Sequence, residues 1–443
     1  MGPVGSNGPW TGIGAPTVEA TLSELSEQAA RAVVERVPST SLVTLAVIGG
    51  YGRGEGGVER VGDELRPHNN VDLLLITRGL GARARQRLTQ ELNRGLAQVA
   101  AHFSVPIDLG VIDARVLRHA RRHVLWYDLR EGHRTIAGDP DFLRANVRFS
   151  ATDIDPRDVR DLVVNRGTLL LINLLALARF SPRSAAGKEP AGQADIPADI
   201  PADWRKRIVR HAMKAVVGYG DALLYADGAY HYSYREKARR VRRSSLIGAD
   251  LQAAYAEAIA FRFEPDYERH GGRDLFAWHA DLLAVVKPAH QRFLQAIHGS
   301  PVAWSQYPSM CLSHSLARSA RSPRDWVRCA RSALAVRAQA PVSDMRLCAQ
   351  YVLASPKDRL AAVFPAACYG VGTDHPLIRA LVPVAPEPGA DDSRSAQDAR
   401  RRRFLSLWAV HGDVNMPADV RTLASSDPES GHRRTRAARA EVR

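Results

Sequence analysis

Apolar residues in roughly the first 115 positions follow two different periods, which predict strands and helices in turn. Three short apolar runs predict buried strands: Leu42–Ile48, Val71–Ile76 and Ile107–Ile112. Apolar residues at helical spacing predict two helices in the same region: Thr21–Val37, with Ser23 as a cap, and Ala82–Phe103. The long, polar segment Gly56–Asn70 predicts an irregular loop between the first two strands.

Beyond about residue 115 the apolar positions recur with the helical period, and no further strand is predicted. The predicted helices are Val159–Phe180, Trp204–Ala226, Leu246–Phe261, Leu275–Ile297, Ser322–Ala338 and Met345–Leu353. The expected fold class is therefore α+β, with a small mixed-sheet domain followed by a mainly α-helical domain.

Composition predicts where these domains begin and end. The Gly/Pro-rich residues 1–17 are expected to be disordered. The expected ordered regions are a strand-containing domain over residues 18–145 and a helical domain over residues 150–380, which contains a Pro/Ala/Asp-rich linker at 181–203. Residues 383–443 are expected to form a linker, with a short docking helix at Arg401–His411, and a largely disordered basic tail.

The charge balance raises the question of a nucleic-acid partner. The chain has 61 basic and 47 acidic residues, which gives a formal net charge of +14. Such a surface can attract polyanions. Only six of the basic residues are lysines, however, and many arginines lie near the C-terminus. This distribution favours a basic tail over a dedicated nucleic-acid surface.

Neither a membrane span nor a disulfide framework is predicted. The longest apolar stretch, Leu169–Ala178, is too short to cross a bilayer. The first 16 residues lack the basic and apolar regions of a secretory signal, so we expect a cytoplasmic protein with no membrane partner. The four cysteines are far apart and show no CxxC pairing, which indicates reduced thiols.

A glycine-rich segment follows the first predicted strand. Gly49–Glu55 reads GGYGRGE, and its glycines allow backbone N–H groups to approach phosphate oxygens without a side-chain clash. Arg53 can add a charge-assisted hydrogen bond to the same phosphates. The alternative interpretation is a tight turn with a purely structural role.

Carboxylates stand at the starts of the next two strands. Asp72 is the second residue of one and Asp108 the second residue of the other. Carboxylates on neighbouring strands can hold divalent metal ions that neutralise a triphosphate. Because successive strand residues point to opposite faces, Asn70 and Asp72 are expected to share a face. The alternative is a pair of acids with only local hydrogen bonds.

These segments carry a family resemblance. Gly49–Glu55 and the run Asn70–Leu74 (NVDLL) resemble the polymerase-β-like nucleotidyltransferases. Within that superfamily the pattern is similar to the N-terminal transferase domain of the uridylyltransferases that modify the PII nitrogen-signalling protein. Asp128–His133 and Ala137–Asp139 also resemble the region that follows there. The resemblance covers about residues 40–145, with a looser helical match to about residue 240.

The resemblance implies transfer of a nucleoside monophosphate from a nucleoside triphosphate to an acceptor hydroxyl, with release of pyrophosphate and with Mg²⁺ or Mn²⁺ as cofactor. The implied catalytic and metal-binding residues are Asp72, Asp108 and Asn70. The implied nucleotide-binding residues are Gly49, Gly50, Tyr51, Arg53 and, from the helical domain, Lys214. Whether the acceptor is a protein, an RNA or a small molecule stays open.

One departure from the family pattern keeps other functions open. Asn70 stands where the first aspartate is expected, and an amide is a neutral, weaker metal ligand. Glu55, Asp63 or Glu64 could supply the missing acid. The alternatives are a catalytically inactive nucleotide-binding or scaffold protein on the same fold, and an antitoxin-like partner protein.

Overall fold

The computed structural model describes residues 8–118, 120–180, 200–313, 326–327, 330, 345–381, 392–412 and 416–424. The chain divides into two compact units. The first combines Met1–Val159 with Gly220–Gly272, and the second combines Arg160–Tyr219 with Arg273–Arg443. This division differs from the predicted boundaries at 145 and 150, because residues 220–272 belong with the strand-containing unit.

The first unit is built on a four-stranded mixed sheet in the order β5-β4-β1-β6. The strands of this sheet are β1 Leu42–Ile48, β4 Val71–Thr77, β5 Ile107–Asp113 and β6 Arg134–Gly138. β1 is antiparallel to both neighbours, whereas β4 and β5 are parallel. The parallel pair requires a crossover connection, which the helix Ala82–Phe103 supplies.

The structure confirms the three predicted strands within one residue and corrects two other predictions. β6 lies in the region where no strand was predicted. Its five residues include the buried Arg134 and Thr135, so it has no apolar run. The predicted irregular segment Gly56–Asn70 instead holds a hairpin of β2 Val58–Val61 and β3 Glu64–Pro67. Both corrections concern short strands without an apolar run, whose strand conformation depends on hydrogen bonds to a neighbouring strand.

Helices of the first unit lie along both faces of the sheet. In chain order the helices that begin before residue 156 are α1 Pro16–Val34, α2 Gly49–Gly52, α3 Ala82–Phe103, α4 Arg115–Arg118, α5 Val124–Glu131 and α6 Phe142–Asn146. The apolar residues of α1 and α3 form one core with Val71, Leu73 and Leu75. On the opposite face, Leu74 and Ile76 pack in a second core with apolar residues of α4, α5 and α6.

Residues 8–17 are ordered, which makes the prediction of disorder wrong for this part of the N-terminal segment. Helix α1 begins at Pro16, not Thr21, so Ser23 is an internal residue and not its cap. The carboxylate of Glu19 accepts hydrogen bonds from the backbone N–H groups of Trp10 and Thr11. The side chains of Trp10 and Thr11 are buried. Residues 1–7 lie outside the described part of the chain.

The rest of the described chain contains helices and the loops that join them, and no strand. The helices are α7 Pro156–Arg179, α8 Ala202–Ala226, α9 Tyr234–Val241, α10 Ala249–Phe263, α11 Leu275–His298, α12 Tyr307–Leu312, α13 Met345–Leu353, α14 Pro356–Tyr369, α15 Pro376–Leu381, α16 Asp392–His411 and α17 Ala418–Thr422. The overall class is α+β, as predicted. Residues 181–199 of the predicted linker 181–203 and most of the predicted helix Ser322–Ala338 lie outside the described residues. The last two residues of that linker belong to α8.

The structure corrects the predicted linker and part of the predicted disordered tail near the C-terminus. Residues 392–411 form one helix and not a linker with a short docking helix, and Val420 and Leu423 in the predicted tail are buried.

Helix α7 is long and apolar enough to meet a length-and-composition criterion for a membrane span. However, 61% of its most apolar window is buried inside the protein, which a core helix of a soluble protein also shows. Cys311 and Cys368 are buried free thiols.

Candidate active site

Asp72 and Asp108 are direct neighbours in the sheet. They occupy the same register on the parallel strands β4 and β5, so their side chains point to the same face. Adjacent strands lie about 5 Å apart, which brings the two carboxylates within reach of a shared cation. Asp72 is partly buried and Asp108 is exposed. The predicted convergence of two acids from separate segments is therefore present.

These aspartates occupy the open end of a sheet face. Further along the same face, Leu74 and Ile76 are covered by α4, α5 and α6, whereas Asp108 remains accessible to solvent. An open groove of about 690 Å³ borders this end, lined by Ile48, both aspartates and residues of α3 that include Asn93 and Ala97. A space of that size is in the range of small-molecule binding sites.

Asn70 joins the pair through its amide. Its Nδ2 donates a hydrogen bond to Oδ2 of Asp108 over 2.9 Å. Asn70 lies one residue before β4, and this bond places its side chain beside the Asp108 carboxylate. The bond holds the Asp108 carboxylate in one orientation. Since the amide donates, its own Oδ1 is the atom that remains available as a neutral ligand.

Gly49 lies against Asp72 at the end of β1. Ile48 pairs with Asp72 across the sheet, and Gly49 follows in a left-handed conformation with φ of +70°. A Cβ atom at this position would stand 2.7 Å from Oδ2 of Asp72. Glycine is therefore required here both for the backbone conformation and for the approach of the carboxylate. Gly49–Gly52 then forms the single helical turn α2.

Arg53 has a different environment from the predicted one. Its side chain is 8% exposed, and Nη1 donates to Oδ2 of Asp128 over 3.1 Å. The guanidinium also stacks on the ring of Tyr234, 4.8 Å from its centroid. Burial lowers the pKa of Arg53, but the attraction of Tyr234 and Asp128 outweighs it, so the net pKa is raised. Arg53 is thus committed to a buried ion pair.

Tyr51 and Lys214 are also not placed at the carboxylate pair. The hydroxyl of Tyr51 is buried, donates to the backbone oxygen of Gly57 and accepts from the backbone N–H of Asn69. Burial raises the pKa of Tyr51 to about 12, so it stays neutral and closes the loop around the hairpin. Lys214 is exposed on α8, which places it in the second unit and not in the unit that holds the carboxylates.

The candidate substitutes for a missing acid have other partners. Glu55 is 4% exposed. Its carboxylate accepts hydrogen bonds from Ser233 Oγ at 2.6 Å and from the backbone N–H groups of Tyr234 at 2.8 Å and Arg235 at 3.2 Å. These donors form the N-terminus of α9, which Glu55 therefore caps. Asp63 and Glu64 lie at the exposed tip of the hairpin, where Glu64 pairs with Arg66.

A buried polar network lies behind the glycine-rich turn. Tyr230 donates from its hydroxyl to Asp128, and Lys237 donates to Asp221 over 2.7 Å. Burial raises the pKa of Asp128 despite the nearby Lys237 and Arg53. Tyr230 is itself buried in this network. The network anchors α9 and its preceding loop to the turn.

Arg262 is the residue at this site that sequence reasoning missed. Its Nη2 lies 3.6 Å from where a Cβ of Gly50 would stand, although it comes from the last turn of α10. A basic residue in the last turn of a helix is common, so the sequence carries no signal that distinguishes this arginine.

No larger metal-ligand cluster accompanies the aspartates. Within the described ranges, no group of three or more His, Cys, Asp or Glu side chains converges in a way that could hold a metal ion. The oxygen-bearing side chains at this end of the sheet are the two carboxylates and the Asn70 amide.

Comparisons with known proteins add no relative. No protein-family model, no curated protein and no solved structure matches the chain.

Proposed function

We propose that the strand-containing unit is a nucleotidyltransferase module of the polymerase-β-like type, acting in the cytoplasm. It would transfer a nucleoside monophosphate from a nucleoside triphosphate to an acceptor hydroxyl. The observation that supports this most directly is the shared register of Asp72 and Asp108, next to a left-handed glycine turn at the end of β1.

The ligand set is compatible with Mg²⁺ shared with a substrate. Mg²⁺ prefers oxygen ligands and is commonly bound by one or two carboxylates, with phosphate oxygens and waters completing the octahedron. Asp72 and Asp108 supply two carboxylates on one face, and Asn70 supplies an amide oxygen. When bound, Mg²⁺ or Mn²⁺ would neutralise phosphate charge. The protein ligands suit a site completed by the triphosphate and not a closed all-protein cage.

In the proposed reaction the acceptor oxygen attacks the α-phosphorus. The acceptor O–H proton passes to Asp108, and the bond from the α-phosphorus to the bridging oxygen breaks, which releases pyrophosphate. The bond from Asn70 leaves Oδ1 of Asp108 as the oxygen that can accept the proton. Asp72 on β4 and Asp108 on β5 are held in register by strand pairing, which is the positioning that such a transfer needs.

Transfer of radioactive label tests the proposal. The protein is incubated with each α-labelled nucleoside triphosphate, Mg²⁺ or Mn²⁺ and cell lysate. We expect labelling that Asp72→Ala lowers by at least about a hundredfold without lowering the melting temperature. Asp63→Ala, at the exposed hairpin tip, is the matched control and should label like the wild type. Undiminished labelling by Asp72→Ala would exclude this site, and no labelling with any triphosphate would exclude the transferase.

One observation favours a second candidate, a nucleotide-binding protein without catalysis. The Asn70 amide donates to Asp108 and so occupies a carboxylate oxygen that a metal ion could otherwise use. If the protein binds nucleotide without catalysis, Asn70→Asp would remove that bond and add a negative charge. Mg²⁺-dependent nucleotide affinity should then rise at least about tenfold. In a working enzyme the same change should leave affinity equal or lower. Calorimetric titration with Mg²⁺ and triphosphate distinguishes the two.

A further inference from the structure

The glycine-rich turn has a cation beside it that comes from a distant part of the chain. Arg262 belongs to the last turn of α10, and its backbone oxygen lies 2.6 Å from where a Cβ of Gly57 would stand. Its Nη2 lies 3.6 Å from the corresponding position on Gly50. The lack of a side chain at Gly57 thus lets this end of α10 approach the segment that follows the turn.

Two of the cations around the turn are held in ion pairs, whereas Arg262 is not. Arg53 pairs with Asp128 and Lys237 pairs with Asp221. The carboxylate of Glu55 is taken by three donors at the start of α9. In the portion of the chain that the structure describes, the guanidinium of Arg262 has neither a hydrogen bond nor a carboxylate within ion-pair distance, and its Nε is buried without an acceptor.

What Arg262 does contact is an aromatic ring. Its guanidinium carbon lies 3.9 Å from the centroid of the Tyr234 ring. Burial alone would raise the pKa of Tyr234, but Arg262, Arg53 and Lys237 together lower it, which indicates a positive potential at this point. Stacking fixes the plane of the guanidinium while leaving its N–H donors without partners.

An arginine that served only the helix end would be expected to donate to the last carbonyl groups of α10. Arg262 does not do so among the described residues. An unmatched, partly buried guanidinium costs stability, and such groups in native proteins are commonly retained for binding. The planar fork of arginine suits phosphate oxygens, to which it can donate two parallel hydrogen bonds.

We propose that Arg262 binds the polyphosphate of the substrate at the Gly49–Gly50 turn, in the role that sequence reasoning gave to Arg53. This inference rests on the proposed function in naming the anion as a nucleoside triphosphate. Asp72 and Arg262 flank consecutive residues of the turn, whose Cα atoms are about 3.8 Å apart. A chain of phosphates lying along the turn would then meet the carboxylates at one end and the arginine at the other.

Metal-free titration of the full-length protein with inorganic tripolyphosphate tests the role of Arg262. We expect Arg262→Met to weaken binding at least about tenfold and Arg262→Lys to weaken it less, because the charge is kept. Arg243→Met, which removes an exposed arginine after α9, is the matched control and should bind like the wild type. Removing an unmatched charge should also leave the melting temperature of Arg262→Met unchanged or raised.

The outcomes separate this inference from the proposed function. Wild-type affinity for tripolyphosphate in folded Arg262→Met would overturn the role of Arg262, whether or not the protein transfers nucleotides. A lower melting temperature with unchanged affinity would do the same and assign Arg262 to structure. Arg262-dependent binding of tripolyphosphate without nucleotide transfer would support the anion site and reject the transferase. Transfer that Arg262→Met retains in full would reject the anion role alone.

Discussion

Gly49 offers a sharp test of the candidate site, because two separate demands meet at this residue. Its φ of +70° is a conformation that costs a non-glycine residue about 1–2 kcal/mol. In addition, a Cβ atom would stand 2.7 Å from Oδ2 of Asp72. We therefore consider the substitution Gly49→Ala, which adds only that atom.

The two effects differ in what they change. The backbone cost lowers stability, whereas the contact displaces the end of a side chain that can rotate. To reach an ordinary van der Waals distance the Asp72 oxygen must move by about half an ångström or more. Displacement of a catalytic group on this scale commonly lowers turnover by one to two orders of magnitude. We expect Gly49→Ala to unfold about 1–2 kcal/mol more easily and to label its acceptor about 10–100-fold more slowly.

Gly79→Ala is the matched control. Gly79 has φ of +76° and no atom within 4 Å of its hypothetical Cβ, so it shares the backbone cost without the contact. Urea unfolding should show the same loss of stability in both variants to within about 0.5 kcal/mol. Only Gly49→Ala should lose nucleotide transfer and Mg²⁺-dependent nucleotide binding. Equal activity in the two variants would refute the assignment of Asp72 and its glycine neighbour to the site.

Two buried groups give predictions for stability. Glu55→Gln should lower the free energy of unfolding by about 2–3 kcal/mol, because one carboxylate accepts three bonds at the start of α9. The exposed Glu64→Gln should change it by less than about 0.5 kcal/mol, and equal values in urea unfolding would contradict the capping role. Burial lowers the pKa of His290 to about 3, so the unfolded chain binds the extra proton between about pH 6.5 and 3, and stability is lost as the pH falls through that range. Between pH 7 and 5 this loss is about 2 kcal/mol. His290→Phe should remove this loss, and the exposed His102→Gln should not. An unchanged dependence of the unfolding free energy on pH in His290→Phe would show that another group is responsible.

The sequence by itself determined the central strands and the helix between them. β1, β4 and β5 are continuous apolar runs, and α3 has a clear helical period, so local pattern and burial agree. The hairpin β2–β3 and β6 were missed because their residues are polar or few. They become strands only when a partner satisfies their backbone groups, as β1 does for β6.

Some features of the candidate site could likewise be predicted from the sequence, and others depend on the tertiary structure. The sequence placed Asp72 and Asp108 each at the second position of a strand, and alternation along a strand made a shared face expected. Their equal register, and the Asn70 amide bound to Asp108, depend on how the α3 crossover aligns β5 with β4. Only the tertiary structure decided which arginine, Arg53 or Arg262, lies at the turn without an ion-pair partner. Packing of α5 and α9 encloses Arg53 in an ion pair with Asp128, while the end of α10 brings Arg262 from more than 200 positions away to the same turn. The sequence indicates which residues lie near the turn along the chain. Burial and ion pairing in the folded protein determine which arginine has N–H donors without a hydrogen-bond partner among the described residues.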